Sequence, residues 1–147
     1  MATMLLTAVL ATTLLFGAGQ RAVASERELN RIDCRVNSGP CLKTAEGLSV
    51  AFDISPKPVK VMHDLIFTVT LIDNGKPVTD ASVMIDLTMP GMYMGKNAVR
   101  LKRGQKGTYT GSGVIVRCPT GEKIWQASIV VRRVNRTSVV SYTFEVS

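Results

Sequence analysis

From Gly47 onward, hydrophobic and polar side chains alternate with a period of two, as in strands with one face buried and one wet. Leu48, Val50, Phe52 and Ile54 alternate with Ser49, Ala51 and Asp53 until Pro56 and Pro58 interrupt the ladder. Leu65, Phe67, Val69 and Leu71 alternate with Ile66, Thr68, Thr70 and Ile72. Asp73-Asn74-Gly75-Lys76-Pro77 then supplies turn chemistry. Val83, Ile85 and Leu87 stand opposite Met84 and Asp86. Further runs are expected at Val99 to Lys102, Tyr109 to Val116, Ile124 to Val131 and Ser138 to Val146. They are separated by Arg103-Gly104-Gln105-Lys106-Gly107, Pro119-Thr120-Gly121 and Asn135-Arg136. No amphipathic helix intervenes. The pattern predicts an all-β fold, an immunoglobulin-like antiparallel β-sandwich of about seven strands.

The same alternation nominates a core: Phe52, Phe67, Val69, Leu71, Ile85, Leu87, Tyr109, Ile115, Trp125, Ala127, Ile129 and Phe144. Trp125 is its expected anchor, because an indole removes the most apolar area from water. Gly111 and Gly113 lie two apart, so they share a face and are expected to let a large neighbour such as Trp125 pack on bare backbone.

Upstream the pattern changes. Leu5 to Gly17 is a continuous apolar run, followed by the small residues Ala22-Val23-Ala24 in the arrangement a signal peptidase reads. Cleavage is expected after Ala24, leaving about 123 residues. Met1 to Met4 carries no lysine or arginine, so an N-terminally membrane-anchored chain is the alternative. Both readings export the domain, to the periplasm or the extracellular space, and cleavage leaves no stable membrane span. The expected organisation is a signal peptide over 1–24, an N-terminal segment over 25–46 holding Cys34 and Cys41, and the sandwich over 47–147. Glu26 to Arg31 reads as a helical turn or a flexible lead-in.

Composition narrows the function. A chain of 147 residues with 46% hydrophobic residues holds one ordinary domain and is too apolar for a disordered tail. The formal charge of +7 invites a nucleic-acid reading. The basic residues are scattered, however, and aromatic residues do not interleave with them, so the charge reads as solvated surface and no nucleic acid is expected. The single histidine, His63, leaves no Ser-His-Asp arrangement to assemble, and no carboxylate pair stands out at a cleft. An enzyme is not expected. Asn135-Arg136-Thr137 is a glycosylation sequon only in a eukaryotic secretory setting.

Three cysteines in an oxidising compartment suggest one disulfide and one free thiol. All three pairings are formally open. Asn37, Ser38, Gly39 and Pro40 make turn chemistry between Cys34 and Cys41, so that bridge is the expected one. Cys118 is then left as a ligand, a redox target or a buried side chain.

The segment that does not read as plain core is Thr88-Met89-Pro90-Gly91-Met92-Tyr93-Met94-Gly95-Lys96-Asn97. Pro90 and Gly91 are expected to end the preceding strand and put the methionines on a loop or sharp bend rather than along one sheet face. Thioether is a soft ligand that does not titrate and favours Cu(I) over hard cations. Met89, Met92 and Met94, joined by His63 and with Cys118 in reserve, therefore make a candidate metal site. Methionine is equally a flexible gap-filler, and a loop folded over the end of a sandwich can use it as ordinary packing.

Asp86-Leu87-Thr88-Met89-Pro90-Gly91-Met92-Tyr93-Met94-Gly95-Lys96-Asn97, then Gly107-Thr108-Tyr109-Thr110-Gly111-Ser112-Gly113 and Trp125, resemble the YtkA-like domain, a family related to the FixH proteins. The resemblance spans roughly Leu48 to Val146. It implies an exported or anchored immunoglobulin-like sandwich associated with copper handling and, in FixH-type members, with assembly of cytochrome oxidase. By that resemblance Met89, Met92 and Met94 match the family's methionine-rich loop. The Cys34–Cys41 pair lies outside the matched part. The expectation is an exported, non-enzymatic copper module holding Cu(I). Its implied partners are copper-donating or copper-accepting proteins, including a respiratory oxidase or its assembly factors. The alternative is a metal-free protein–protein interaction module, in which the methionine loop is an adaptable apolar contact.

Overall fold

The computed structural model describes residues 31–147, so the signal peptide, its cleavage point and all but the last residue of the Glu26–Arg31 lead-in lie outside the described residues. Nine strands follow in order: β1 (Cys41–Ala45), β2 (Leu48–Ser55), β3 (Asp64–Asp73), β4 (Lys76–Pro77), β5 (Ser82–Thr88), β6 (Ala98–Arg103), β7 (Thr108–Val114), β8 (Ile124–Arg133) and β9 (Arg136–Glu145). All pair antiparallel, in the order β1-β2-β3-β7-β6-β5-β8-β9, with β4 added to β3. Setting β2-β3-β7-β6 against β5-β8-β9 reproduces the two sheets of an immunoglobulin-like sandwich. Nine strands appear where about seven were expected. The two additions are β1 and the two-residue β4, both too short or too polar to show a period-two signal.

The sheet extends upstream of the boundary expected at Gly47. Strand β1 pairs with β2 from Cys41↔Phe52 to Ala45↔Leu48, and the side chains of Cys34 and Val36 are buried in the core. The Cys34–Cys41 disulfide is formed. It holds this segment where the edge of β1 approaches the edge of β9. There the amides of Asp33 and Cys34 both donate to Thr143 O at 3.0 Å, and Thr143 N donates to the Asp33 carboxylate at 2.9 Å. Lys43 adds a bond from Nζ to Ser141 O. An edge strand presents unpaired backbone groups that template association, and this segment satisfies those of β9 locally.

All twelve residues nominated for the core are fully buried. Tyr142 joins them from β9 and stacks at a tilt on Phe52, with centroids 5.2 Å apart. Its hydroxyl donates to Val50 O across the sandwich, and that of Tyr109 donates to Val78 O at 3.0 Å, so each buried phenol has its polar end satisfied. The indole Nε1 of Trp125, by contrast, finds no hydrogen-bond partner among the described residues.

Gly111 and Gly113 do share an inward face, but the element packed on them is β6 and not Trp125. A Cβ on Gly111 would lie 2.7 Å from Arg100 O, and one on Gly113 would lie 2.8 Å from a Val99 methyl. The reason is the path of β6. Residues 98–101 pair with β5 in one sheet and residues 102–103 pair with β7 in the other. A strand that changes sheets must cross its neighbour closely, and bare backbone at Gly111 leaves room for it.

Candidate functional site

Strand register sends every sequence-nominated ligand to one end of the sandwich. Ser55↔Ile66, Asp64↔Val114, Asp86↔Ala98, Thr88↔Gln126 and Ile124↔Glu145 are all last or near-last pairs of their ladders. That end therefore carries the links 56–63, 89–97 and 115–123.

The first link, after β5, opens with a tight turn. Met92 N donates to Met89 O at 3.1 Å, with Pro90 and Gly91 (φ 73°) at the two central positions. Proline first and a positive-φ glycine second is the requirement of a type II turn. Met89 precedes the bend and continues the inward alternation of Val83, Ile85 and Leu87, at 3% exposure. Extending the β5–β8 register by one residue sets it opposite Trp125. The expectation that Pro90 and Gly91 put all three methionines on a loop is corrected here. The bend falls at Pro90-Gly91 as expected, but Met89 stands before it and still belongs to the core face. Met94 is half-buried and packs against that core. Met92 is 39% exposed, and its neighbour Tyr93 is almost wholly so.

The second link, after β7, also bends at a proline turn. Gly121 N donates to Cys118 O at 3.0 Å around Pro119-Thr120. The turn folds Thr120 back so that its Oγ1 lies 3.0 Å from the buried Cys118 Sγ. That hydroxyl bond holds the thiol below its ordinary range and outweighs desolvation, which acts the other way. The Cys118 Sγ in turn approaches Met92 Sδ at 3.8 Å. Two soft sulfur atoms from separate links are thus in contact, and Cys118, nominated only in reserve, is the ligand candidate that touches a loop methionine.

The third link holds His63. Met62 sits at φ 59° and its amide donates to Ile115 O at 2.8 Å, which pins this segment beside the chain leading to Cys118. His63 is exposed, with Nδ1 2.8 Å from Val61 O. A carbonyl only accepts, so Nδ1 carries the proton and Nε2 keeps its lone pair in the neutral ring. The ring is thus bonded within its own link and makes no hydrogen bond to the methionine loop. Among the described residues, no three histidine, cysteine, aspartate or glutamate side chains gather at a spacing suited to a metal.

Sequence reasoning missed Thr120. Its signal was present in Cys118-Pro119-Thr120-Gly121, a proline turn that returns its third residue toward the first.

Of the described residues, no helix is long and apolar enough to cross a membrane. No curated protein matches the chain. The family described as YtkA-like matches residues 43–116, from β1 through β7 and including the whole Met89–Met94 loop. That span is just over half of the 147 residues, and the chain belongs to the YtkA-like family.

Proposed function

We propose that this protein is an exported, non-enzymatic copper-binding module that holds Cu(I) at the methionine end of the sandwich. The observation that carries the reading is the 3.8 Å approach of Cys118 Sγ to Met92 Sδ. Thioether and thiolate are both soft donors, and the Thr120 hydroxyl favours the thiolate form that binds metal. Met92 and Cys118 would be the primary pair. Met94 and His63 lie on links at the same end of the sandwich, and Met89 accepts the turn's hydrogen bond from the core face. Bound copper would be cargo, exchanged with a donating or accepting protein through weak thioether coordination. Cytochrome-oxidase assembly is the setting that resemblance to FixH-type members suggests.

Anaerobic titration of the purified protein with Cu(I) against a chromogenic competitor tests this. One Cu(I) should be retained, with affinity falling at least about tenfold in Met92→Ala and in Cys118→Ser. Equal affinity in both variants and the parent overturns the assignment.

The burial of Met89 and the packing of Met94 favour a second reading, a metal-free interaction module. In it the loop is held from beneath and presents Tyr93 to a partner. Absence of Cu(I) retention by the parent protein selects it.

A further inference from the structure

We infer that the outer face of the β1-β2-β3-β7 sheet is the contact surface of a homodimer, in which two copies of this chain pack sheet on sheet. The inference is independent of the copper reading and concerns a different part of the molecule. The face is read from the register. Its cross-strand rows are Leu42–Ala51–Thr70–Thr108, Ser55–Ile66–Ser112 and Thr44–Ser49–Ile72. None of these positions is charged, in a chain with 20% charged residues. Asp53 lies in the remaining row, but its carboxylate is engaged by Lys57 Nζ. Lys102 and Asp64 stand at the rim, beside Thr110 and Val114 respectively.

Three large apolar side chains are spread over this neutral face: Leu42 at 69% exposure, Ile66 at 51% and Ile72 at 40%. The hydroxyls between them bond within the plane of the sheet. Thr70 Oγ1 lies 3.4 Å from Thr108 Oγ1, and Thr44 Oγ1 lies 3.2 Å from Ser49 Oγ. Side chains already paired laterally lose little when water is removed above them. Depletion of charge around exposed aliphatic residues is the composition of an interface core.

Charge decides the occupant. The chain carries +7, so two copies repel wherever their charged surfaces meet. The opposite outer face puts Arg100, Asp86 and Arg132 among its rows, so a self-contact there must take charged side chains out of water. On the neutral face that repulsion is smallest, and an acidic protein or anionic lipid surface finds no cation in its central rows, only Lys102 at the rim and a Lys57 already paired with Asp53. A second copy offers the same uncharged aliphatic and hydroxyl surface. Four strands about 4.8 Å apart and about 27 Å long give roughly 500 Å² of plan area, so a pair buries roughly 1,000 Å², the lower bound for a specific interface.

The test is sedimentation equilibrium of the purified protein over a wide concentration range at physiological salt. The expected result is a reversible monomer–dimer equilibrium. Ile66→Lys should leave the one-chain mass at concentrations where the parent is paired, and Ile72→Lys is the parallel variant if the first fails to fold. Val139→Lys, on the opposite outer face, should pair as the parent does. A parent that is monomeric throughout overturns the inference, including one that instead floats with anionic phospholipid vesicles. A dimer broken by Val139→Lys but not by Ile66→Lys or Ile72→Lys overturns it as well.

Discussion

The thiol of Cys118 points at the thioether of Met92, 3.8 Å away, with the hydroxyl of Thr120 3.0 Å from the same sulfur. Two proline turns separated by a strand, a hairpin link and a second strand meet at this contact. The free cysteine is therefore neither isolated nor ordinary core. Its hydrogen-bond partner holds the thiol low, and its sulfur neighbour comes from the loop the family model covers.

Thr120→Val should raise the Cys118 pKa, because it removes the largest cause of the lowering and leaves desolvation. The pH profile of alkylation of the native protein should move to higher pH, with less thiolate at neutrality. Alkylation rates that follow one profile in both proteins would show that the hydroxyl does not set the thiol.

Gly111→Ala should cost more than Gly113→Ala. At Gly111 the new methyl meets the carbonyl oxygen of Arg100, which moves only if β6 moves. At Gly113 it meets a Val99 side chain, which can turn. Overpacking of the first kind costs about 2–3 kcal/mol and of the second about 1 kcal/mol. Urea unfolding midpoints of the two variants, compared with the parent at equal slope, rank them.

Tyr142 gives the fold an alkaline limit. Burial pushes its phenol from 10.0 up to about 12, with a backbone hydrogen bond from Lys43 acting in the opposite direction. A raised phenol pKa means that the neutral form is favoured by folding. The stability it contributes is whole below pH 10 and is lost as pH climbs through about 12. Tyr142→Phe should be less stable near neutrality by about 1 kcal/mol, for the lost bond to Val50 O, and flatter in stability above pH 10. Equal alkaline slopes in both proteins would remove Tyr142 as the cause.

Reduction of Cys34–Cys41 should lower stability by roughly 2–3 kcal/mol, the loop-entropy value for a bridge this short. The effect should be local as well. The amide of Thr143, bonded to Asp33, should exchange with deuterium faster once the segment is released, while the amides of the β5–β8 ladder keep their relative protection. Uniform acceleration across both sheets would mean that the bridge serves the whole domain and not the β9 edge.

The alternation from Leu48 to Val146 made the fold class and the core legible before any coordinates, because a half-buried strand leaves a period-two record in its own side chains. All twelve inward residues, Trp125 among them, obey it. Strand β1 left no such record: in Cys41-Leu42-Lys43-Thr44-Ala45 the apolar residues do not alternate, and Lys43 shares the inward parity with Cys41 and Ala45. The site was legible as an inventory of soft donors, and Met89 leaves the loop because it precedes the Pro90-Gly91 bend and keeps the inward parity of β5.

Sequence alone determined the β-sandwich, the twelve residues of its inner core and the two proline turns, since each depends on side chains near one another along the chain. Tertiary structure alone decided which side chains meet across it. It took Met89 into the core opposite Trp125 and put β6 over Gly111. It brought the edge of β9 to Asp33 and joined Met92 to Cys118, 26 residues apart. Strand pairing and sheet crossing set those meetings, and periodicity along one strand carries no information about the strand that will lie beside it.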